Sequence, residues 1–452
     1  MLALMAIVAV SCQREVGFIE PTPSPSGDVV QETTSVNVRS YDEALAIAEE
    51  ALQMVDGKDT RSGHRRSIKR DEGQIVMSPV TRNGEAEPIM YVFNNENNEG
   101  FTIVAAERGR RPLIAVTESG NYTYGEPTEV EAFDSYMDGV VERMLVLPGS
   151  PIDPTPALIA DTVRYEYTKV GPLLTTKWGQ SGVYAREVHT GRIGCVPLAI
   201  AQVMAYHQYP YSLQLTYKYA SPTITLNWTN ILKHVSGSGY QSGLGIWQYA
   251  CDCGCDYMAM AQLIREIGER AGIDYTSPDP GEDATVSART EDAVGALLQM
   301  GYSATKFVPI LDIETYKSEL LSDLQDGRPA LLAGYDSIVD KGHMWVADGY
   351  YYIDSEIDFY KENPNYDPFI FNGEPRYVYD YTFTAQNELV HLNWGWNGMC
   401  DGWFDLGYYA TDNADIYDDP NVNNGHDYNF RYDIELIYNI KPLFNLVLPN
   451  NN

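Results

Sequence analysis

The sequence predicts an α+β protein with two folded parts, and three observations carry that expectation. At 452 residues the chain is long enough for two or three domains, each with a real core. Pro148, Pro151, Pro154 and Pro156 break it into a shorter and a longer part. Within the longer part the texture changes from helix-like to strand-like near residue 328. With 44% hydrophobic and 21% charged residues, disorder and fibrous repeats are excluded. Lys plus Arg is 31 and Asp plus Glu is 63, giving a net charge of −32, which argues against nucleic acid or an anionic membrane surface as partner. Residues 1–170 hold 15 basic and 27 acidic side chains and the rest hold 16 and 36, so both parts are acidic.

The elements follow in order. Leu2 to Val10 is apolar but too short to span a bilayer, and Ala9-Val10-Ser11 places small residues before Cys12. Residues 1–12 therefore read as a lipoprotein-type signal whose Cys12 carries the lipid, the only membrane attachment expected. No Lys or Arg precedes the run, so an ordinary secretory signal remains the alternative. Both export the protein. Residues 13–39, rich in Pro and Ser, suit a flexible tether.

A small α+β domain is expected over residues 40–147. Ser40-Tyr41-Asp42-Glu43 forms a capping box, and Leu45, Ala48, Leu52 and Val55 recur at helical spacing up to Gly57. Lys58, Arg61, Arg65, Arg66, Lys69 and Arg70 make a basic island, either a solvated loop or a patch that docks on the acidic C-terminal part. Met90 to Phe93 and Phe101 to Ala105 read as two strands joined by an Asn-rich turn. Residues 148–170 form a Pro-rich cleavable linker, 171–445 the second domain and 446–452 a tail. Apolar residues at Met258, Ala261, Ile264 and Ile267, and at Ala293, Ala296, Leu297 and Met300, predict two more helices.

The segment from Gly194 to Met204 carries the chemistry. Pro197 fits a first helical turn, and Val196, Ile200, Val203 and His207 share one face, so Cys195 stands at a helix N-terminus. Unpaired amides and the helix dipole there favour an anion and so a thiolate; a buried inert Cys is the plain alternative. A thiolate nucleophile needs an imidazole partner. His207 lies about 18 Å down the same helix. His64 belongs to the first domain, and His189, His234 and His426 sit in loop-like surroundings. His343, in Gly-His-Met-Trp-Val-Ala-Asp-Gly-Tyr, and His391, in Val-His-Leu-Asn-Trp-Gly-Trp, lie on strand-like runs. Asn393 shares the strand face of His391, and an amide there can set an imidazole tautomer under the cover of Trp394. Gln180, fifteen residues before Cys195, offers a side-chain donor to an oxyanion.

The segments GCVPLAIAQVMAYHQYP, GHMWVADGYYY and LVHLNWGWNGMCDGWFDL, with PLLTTKWGQ upstream and YNIKP at the end, closely resemble the streptopain-like cysteine proteases. That family is a branch of the papain-like fold, with a helical half carrying the Cys and an antiparallel β half carrying the His and Asn. The resemblance implies Cys195 as nucleophile, His343 as base and acid, Asn393 as the orienting residue with Trp394 over it, Gln180 at the oxyanion, and His391 as a structural strand residue. It also implies that residues 40–147 are an inhibitory prodomain. The sequence departs from the pattern at Val183-Tyr184-Ala185, where the family has Pro-Tyr-Asn, and at Asn397, where it has Gly. The acidic TSPDPGEDATVS replaces a Gly/Ser-rich segment, and these loop changes bear on substrate preference.

Cys251, Cys253 and Cys255 are too closely spaced for a usual zinc site, and only Cys400 remains as a fourth ligand. A disulfide to Cys400 and free thiols are the other readings. No metal or organic cofactor is expected. The functional expectation is an exported, monomeric cysteine endopeptidase acting on proteins or peptides, self-inhibited as a zymogen. A catalytically silent adhesin or protein-binding module on the same fold is the competing class.

Overall fold

Ser40 starts the first helix as its motif requires: its N–H donates to Glu43 Oε2 at 2.8 Å while the Glu43 N–H donates to Ser40 Oγ at 3.3 Å. The computed structural model describes residues 38–56, 65–79, 86–146, 159–217, 219–234, 256–275, 288–307, 313–336, 341–363, 365–366, 375–406 and 434–443. All of them lie in one unit, residues 36–452. The signal, most of the tether, Lys58, Arg61, His64, His426, Cys251, Cys253, Cys255 and the tail are outside the described residues.

In the N-terminal domain, α1 (Tyr41–Asp56) is followed by an antiparallel meander of β1 (Gln74–Met77), β2 (Pro88–Asn94), β3 (Phe101–Ala105) and β4 (Leu113–Thr117), and then by α2 (Glu131–Val146). The two-residue period of β2 serves both helices. Tyr91 and Phe93 face the core under α1, while Met90 and Val92 face that of α2. The β2–β3 turn holds Asn97 and Asn98 at φ 57° and 59° and Gly100 at φ 92°, residue types that tolerate positive φ.

The second domain holds β5 (Ile159–Val170), α3 (Cys195–His207), β6 (Ser212–Gln214), β7 (Thr223–Thr225), α4 (Trp228–Ile231), α5 (Tyr257–Arg270), α6 (Thr290–Gln299), β8 (Tyr302–Phe307) and α7 (Ile313–Gln325), then β9 (Ala330–Asp336), β10 (Lys341–Glu362), β11 (Tyr377–Asn393), β12 (Gly402–Asp405) and β13 (Glu435–Pro442). Helices α3, α5 and α6 share one core, and strands β8 to β13 form the β half. The helices and strands at 88–105, 195–207, 257–270 and 290–299 fall where sequence periodicity places them.

One sheet runs through both domains in the order β1-β2-β3-β4-β12-β11-β10-β9-β13-β8. The join is the antiparallel pair β4–β12, with Thr117 opposite Gly402 and Ala115 opposite Phe404. A Cβ at Gly402 would stand 2.4 Å from the Val116 carbonyl oxygen, so the approach needs glycine.

The linker differs from expectation. Residues 159–170 form β5, which pairs with β10 from Tyr350–Val170 to Tyr360–Ile159. Val163, Tyr165 and Tyr167 alternate with Arg164, Glu166 and Thr168, a strand period that the neighbouring prolines mask.

Candidate active site

Gly194, at φ 89°, turns the chain into α3, so that Cys195 is the first helical residue and Pro197 sits in the first turn. Cys195 as a residue is partly exposed although its thiol points inward, whereas the helix from Val196 to Ala205 is buried. Burial pushes the Cys195 thiol up, against the pull of the N–H groups of Met344, Val196 and Cys195 itself. The Met344 amide brings β10 against Cys195, one residue from His343.

His343 is buried on β10, paired across to Gly334 of β9. Its Nε2–H donates to the Trp394 carbonyl oxygen at 2.8 Å, leaving Nδ1 as the basic nitrogen. The Trp396 ring lies 4.4 Å from the imidazole, and Trp345 stacks parallel at 6.0 Å. Burial lowers the imidazole to about 4, partly offset by the Trp394 bond and the charge of Glu131. At neutral pH the pair is thus thiol and neutral imidazole.

Asn393 closes β11, but its amide bonds elsewhere than to His343. Its Nδ2 donates to the Thr176 carbonyl at 2.9 Å, and its Oδ1 accepts from Gln202 Nε2 and Gly395 N, each at 3.1 Å. The tautomer of His343 is set here by the Trp394 carbonyl instead. The Trp394 ring packs with Trp345 and with Phe133 and Tyr136 of α2, and its buried indole Nε1 has no hydrogen-bond partner among the described residues.

The Gln180 segment is fixed by its backbone. Gly179 bridges to Trp396, Ser181 bridges to Arg192, and the Gln180 carbonyl accepts from Ile193 N at 3.0 Å. This sets Gln180 beside the entry to α3. Asn397 occupies φ 55°, a conformation for which Asn is among the better substitutes for Gly.

His391 is held in a row of charges. Its Nδ1–H donates to Asp348 Oδ1 at 2.6 Å, and its Nε2 lies 3.3 Å from Glu118 Oε1 of the N-terminal domain, whose Oε2 is 2.7 Å from Lys177 Nζ. Burial opposes the imidazolium, but Asp348 and Glu118 outweigh it and raise His391 to about 10. Burial likewise opposes the Glu118 carboxylate, yet His391 and Lys177 hold it well below the usual range. His207 bonds the Ile440 carbonyl and His234 the Tyr184 hydroxyl, both structural contacts.

Arg66, Lys69 and Arg70 of the basic island pair inside their own domain rather than with the second one. Arg66 binds Asp56 and the Thr117 carbonyl, Lys69 faces Glu72 and Arg70 binds Glu49. The docking charges are instead Arg111, 3.3 Å from Asp405, and Glu118. Cys400 is buried next to Thr128 and Asp134, and its suggested partners Cys251, Cys253 and Cys255 lie outside the described residues. Among the described residues, no three His, Cys, Asp or Glu side chains are arranged to hold a metal ion.

Sequence reasoning missed Gln202, Trp396, Asp348 and Glu118. Gln202 lies seven residues after Cys195, two helical turns along the same face. Asp348 sits five residues after His343 on one strand. Glu118 had no local signal, since only the tertiary fold brings it to His391.

The model of the Peptidase C10 family matches residues 178–404, the span that contains Gln180, Cys195, His343 and Asn393. The chain belongs to the Peptidase C10 family. The model of the Spi protease inhibitor matches residues 30–140. The C10 chain is thus an α+β papain-like protease domain preceded by an α+β prodomain. Streptopain of Streptococcus pyogenes serotype M28 is 24% identical over 371 residues, covering 75% of this chain and 79% of streptopain. The thiol protease/hemagglutinin PrtT of Porphyromonas gingivalis is 23% identical over 354 residues, covering 71% of this chain and 34% of PrtT. A solved structure of Prevotella intermedia prointerpain A, a cysteine-to-alanine variant, shares 22% identity, with 81% of this chain and 98% of that chain covered at a TM-score of 0.47.

Proposed function

We propose that this C10 chain is an exported cysteine endopeptidase made as a self-inhibited zymogen. Cys195 is the nucleophile. The observation that carries the reading is its place at the start of α3, facing the Met344 amide one residue from His343. In the active form the thiolate attacks a peptide carbonyl, and Gln180 with the Cys195 N–H receives the oxyanion, each such donor being worth about 3 kcal/mol. His343 then protonates the leaving amine. The product is a thioester, and water activated by the same imidazole hydrolyses it, returning the thiol. Asn393 orients the ring indirectly, by holding Gly395 N beside the Trp394 carbonyl that accepts from His343.

Latency follows from the covering of the site by the prodomain. Phe133 and Tyr136 of α2 lie 6.3 and 6.0 Å from Trp394, whose carbonyl holds His343. A buried imidazole lowered to about 4 beside a thiol raised by burial forms no thiolate–imidazolium pair. Removing the prodomain re-admits water and favours the ion pair. The relatives' names, streptopain and thiol protease, agree with this activity. Hydrolysis of a casein substrate by the processed chain, abolished in Cys195→Ala, tests the reading; equal hydrolysis by the variant rejects it.

A further inference from the structure

Gln202 is a fully buried polar side chain in the middle of α3, and nothing in the reaction above uses it. Its Oε1 accepts from Thr176 Oγ1 at 3.1 Å and from Trp178 N at 3.2 Å, and its Nε2 donates to Asn393 Oδ1 at 3.1 Å. Asn393 returns a longer contact, Nδ2 to Gln202 Oε1 at 3.4 Å, and donates to the Thr176 carbonyl at 2.9 Å. The bonds close a ring of three buried residues, Thr176, Gln202 and Asn393.

Each belongs to a different arm of the candidate site. Gln202 is on the helix that begins with Cys195, Thr176 and Trp178 are on the segment that carries Gln180, and Asn393 ends the strand that leads into Trp394. Burial of three polar side chains is costly unless their partners are made, and made they fix one arrangement. A carboxamide suits this place because it accepts and donates at once.

Resting on the proposed roles of Cys195 and Asn393, we propose that Gln202 is a positioning residue. It holds the Asn393 amide and the Gln180 segment in register with the Cys195 helix, and acts on the reaction through them. Loss of this hold displaces the orienting amide without touching the substrate subsites, so kcat falls while KM stays. Asn393 reaches the ring through the backbone: its Oδ1 accepts from Gly395 N, next to Trp394, whose carbonyl takes the His343 Nε2–H. A displaced Asn393 therefore weakens the hold of that carbonyl on the imidazolium and lowers the upper pKa of the pH–rate profile.

The test compares Gln202→Leu, Gln202→Glu, Asn393→Ala and the Gln202→Leu/Asn393→Ala double variant in the processed enzyme, by steady-state hydrolysis of one peptide from pH 5 to 10 and by thermal melting. Gln202→Glu keeps the acceptor bonds; when ionised it sets a carboxylate oxygen against Asn393 Oδ1 in place of the N–H donor, and when protonated its O–H restores the donation. It serves where the leucine variant does not fold, its loss of kcat being read at alkaline pH. The expected result is a kcat lowered about tenfold or more, a KM within about twofold, and an alkaline limb moved to lower pH. The double variant should be little worse than Asn393→Ala, because both act through one group. A folded Gln202 variant with unaltered kcat and only a lower Tm overturns the proposal, as do losses that multiply in full. A fully active Asn393→Ala overturns both this proposal and the site assignment, whereas a slow Asn393→Ala beside fully active Gln202 variants overturns this proposal alone.

Discussion

Glu118 of the prodomain lies 3.3 Å from Nε2 of His391, a protease histidine whose other nitrogen donates to Asp348. With Lys177 the four side chains form a row of alternating charge across the domain interface, buried at Asp348 and His391 and reaching the surface at Glu118 and Lys177. A prodomain carboxylate thus completes charges that belong to the protease. The row lies beside the β4–β12 join, where the Glu118 N–H donates to the Asp401 carbonyl at 2.8 Å.

Glu118→Ala should therefore loosen the prodomain while leaving the protease chemistry intact. Removing the partly exposed Glu118 takes from the buried His391 imidazolium one of its two carboxylates, a loss of about 1.5–3 kcal/mol. The full-length variant should be labelled at Cys195 by a thiol-directed epoxide faster than the parent chain. Equal labelling rates would show that Glu118 does not help hold the prodomain.

The same row gives a pH dependence with a definite sign. His391 is raised from an ordinary 6.5 to about 10, so its stabilising contribution is fully present below pH 6.5 and is lost as the pH rises through 10. Denaturant unfolding of full-length Cys195→Ala should show stability falling by a few kcal/mol between about pH 6.5 and 10. In His391→Gln this loss should be largely absent. A parent chain whose stability is flat over that range contradicts the charged state assigned to His391.

The two histidines should separate in function. His343→Ala should abolish hydrolysis in a folded processed enzyme, while His391→Ala should chiefly lower stability, by about 3–5 kcal/mol, because Asp348 loses its partner. Rates and melting curves of both variants decide the matter. A folded His391→Ala without activity, beside an active His343→Ala, reverses the assignment.

Much of this was legible in the sequence because the informative features are local. The capping box at Ser40, the Pro197 turn after Cys195 and the helical period of residues 258–267 each encode their element within a few residues. The strand β5 was hidden because its alternation follows a proline-rich stretch that reads as a boundary. The basic island was legible as charge but not as pairing. Arg66 and Arg70 find Asp56 and Glu49 on α1, partners that come close only after the sheet folds under the helix. For the same reason the sequence suggests His343 as the partner of Asn393, whereas two of its three bonding partners, Thr176 and Gln202, lie far from it in the chain.

The packing of α2 on Trp394, whose carbonyl holds His343, makes accessibility of Cys195 the most direct test of the account. Full-length and processed chains, each with its Cys195→Ala counterpart, are to be treated with a thiol-directed epoxide and the adduct located by peptide mass. The account predicts rapid modification of Cys195 in the processed chain, together with loss of peptide hydrolysis, and little modification in the full-length chain. Equal modification and equal hydrolysis in both forms would contradict latency. Hydrolysis that survives modification or replacement of Cys195 would contradict its role as the nucleophile.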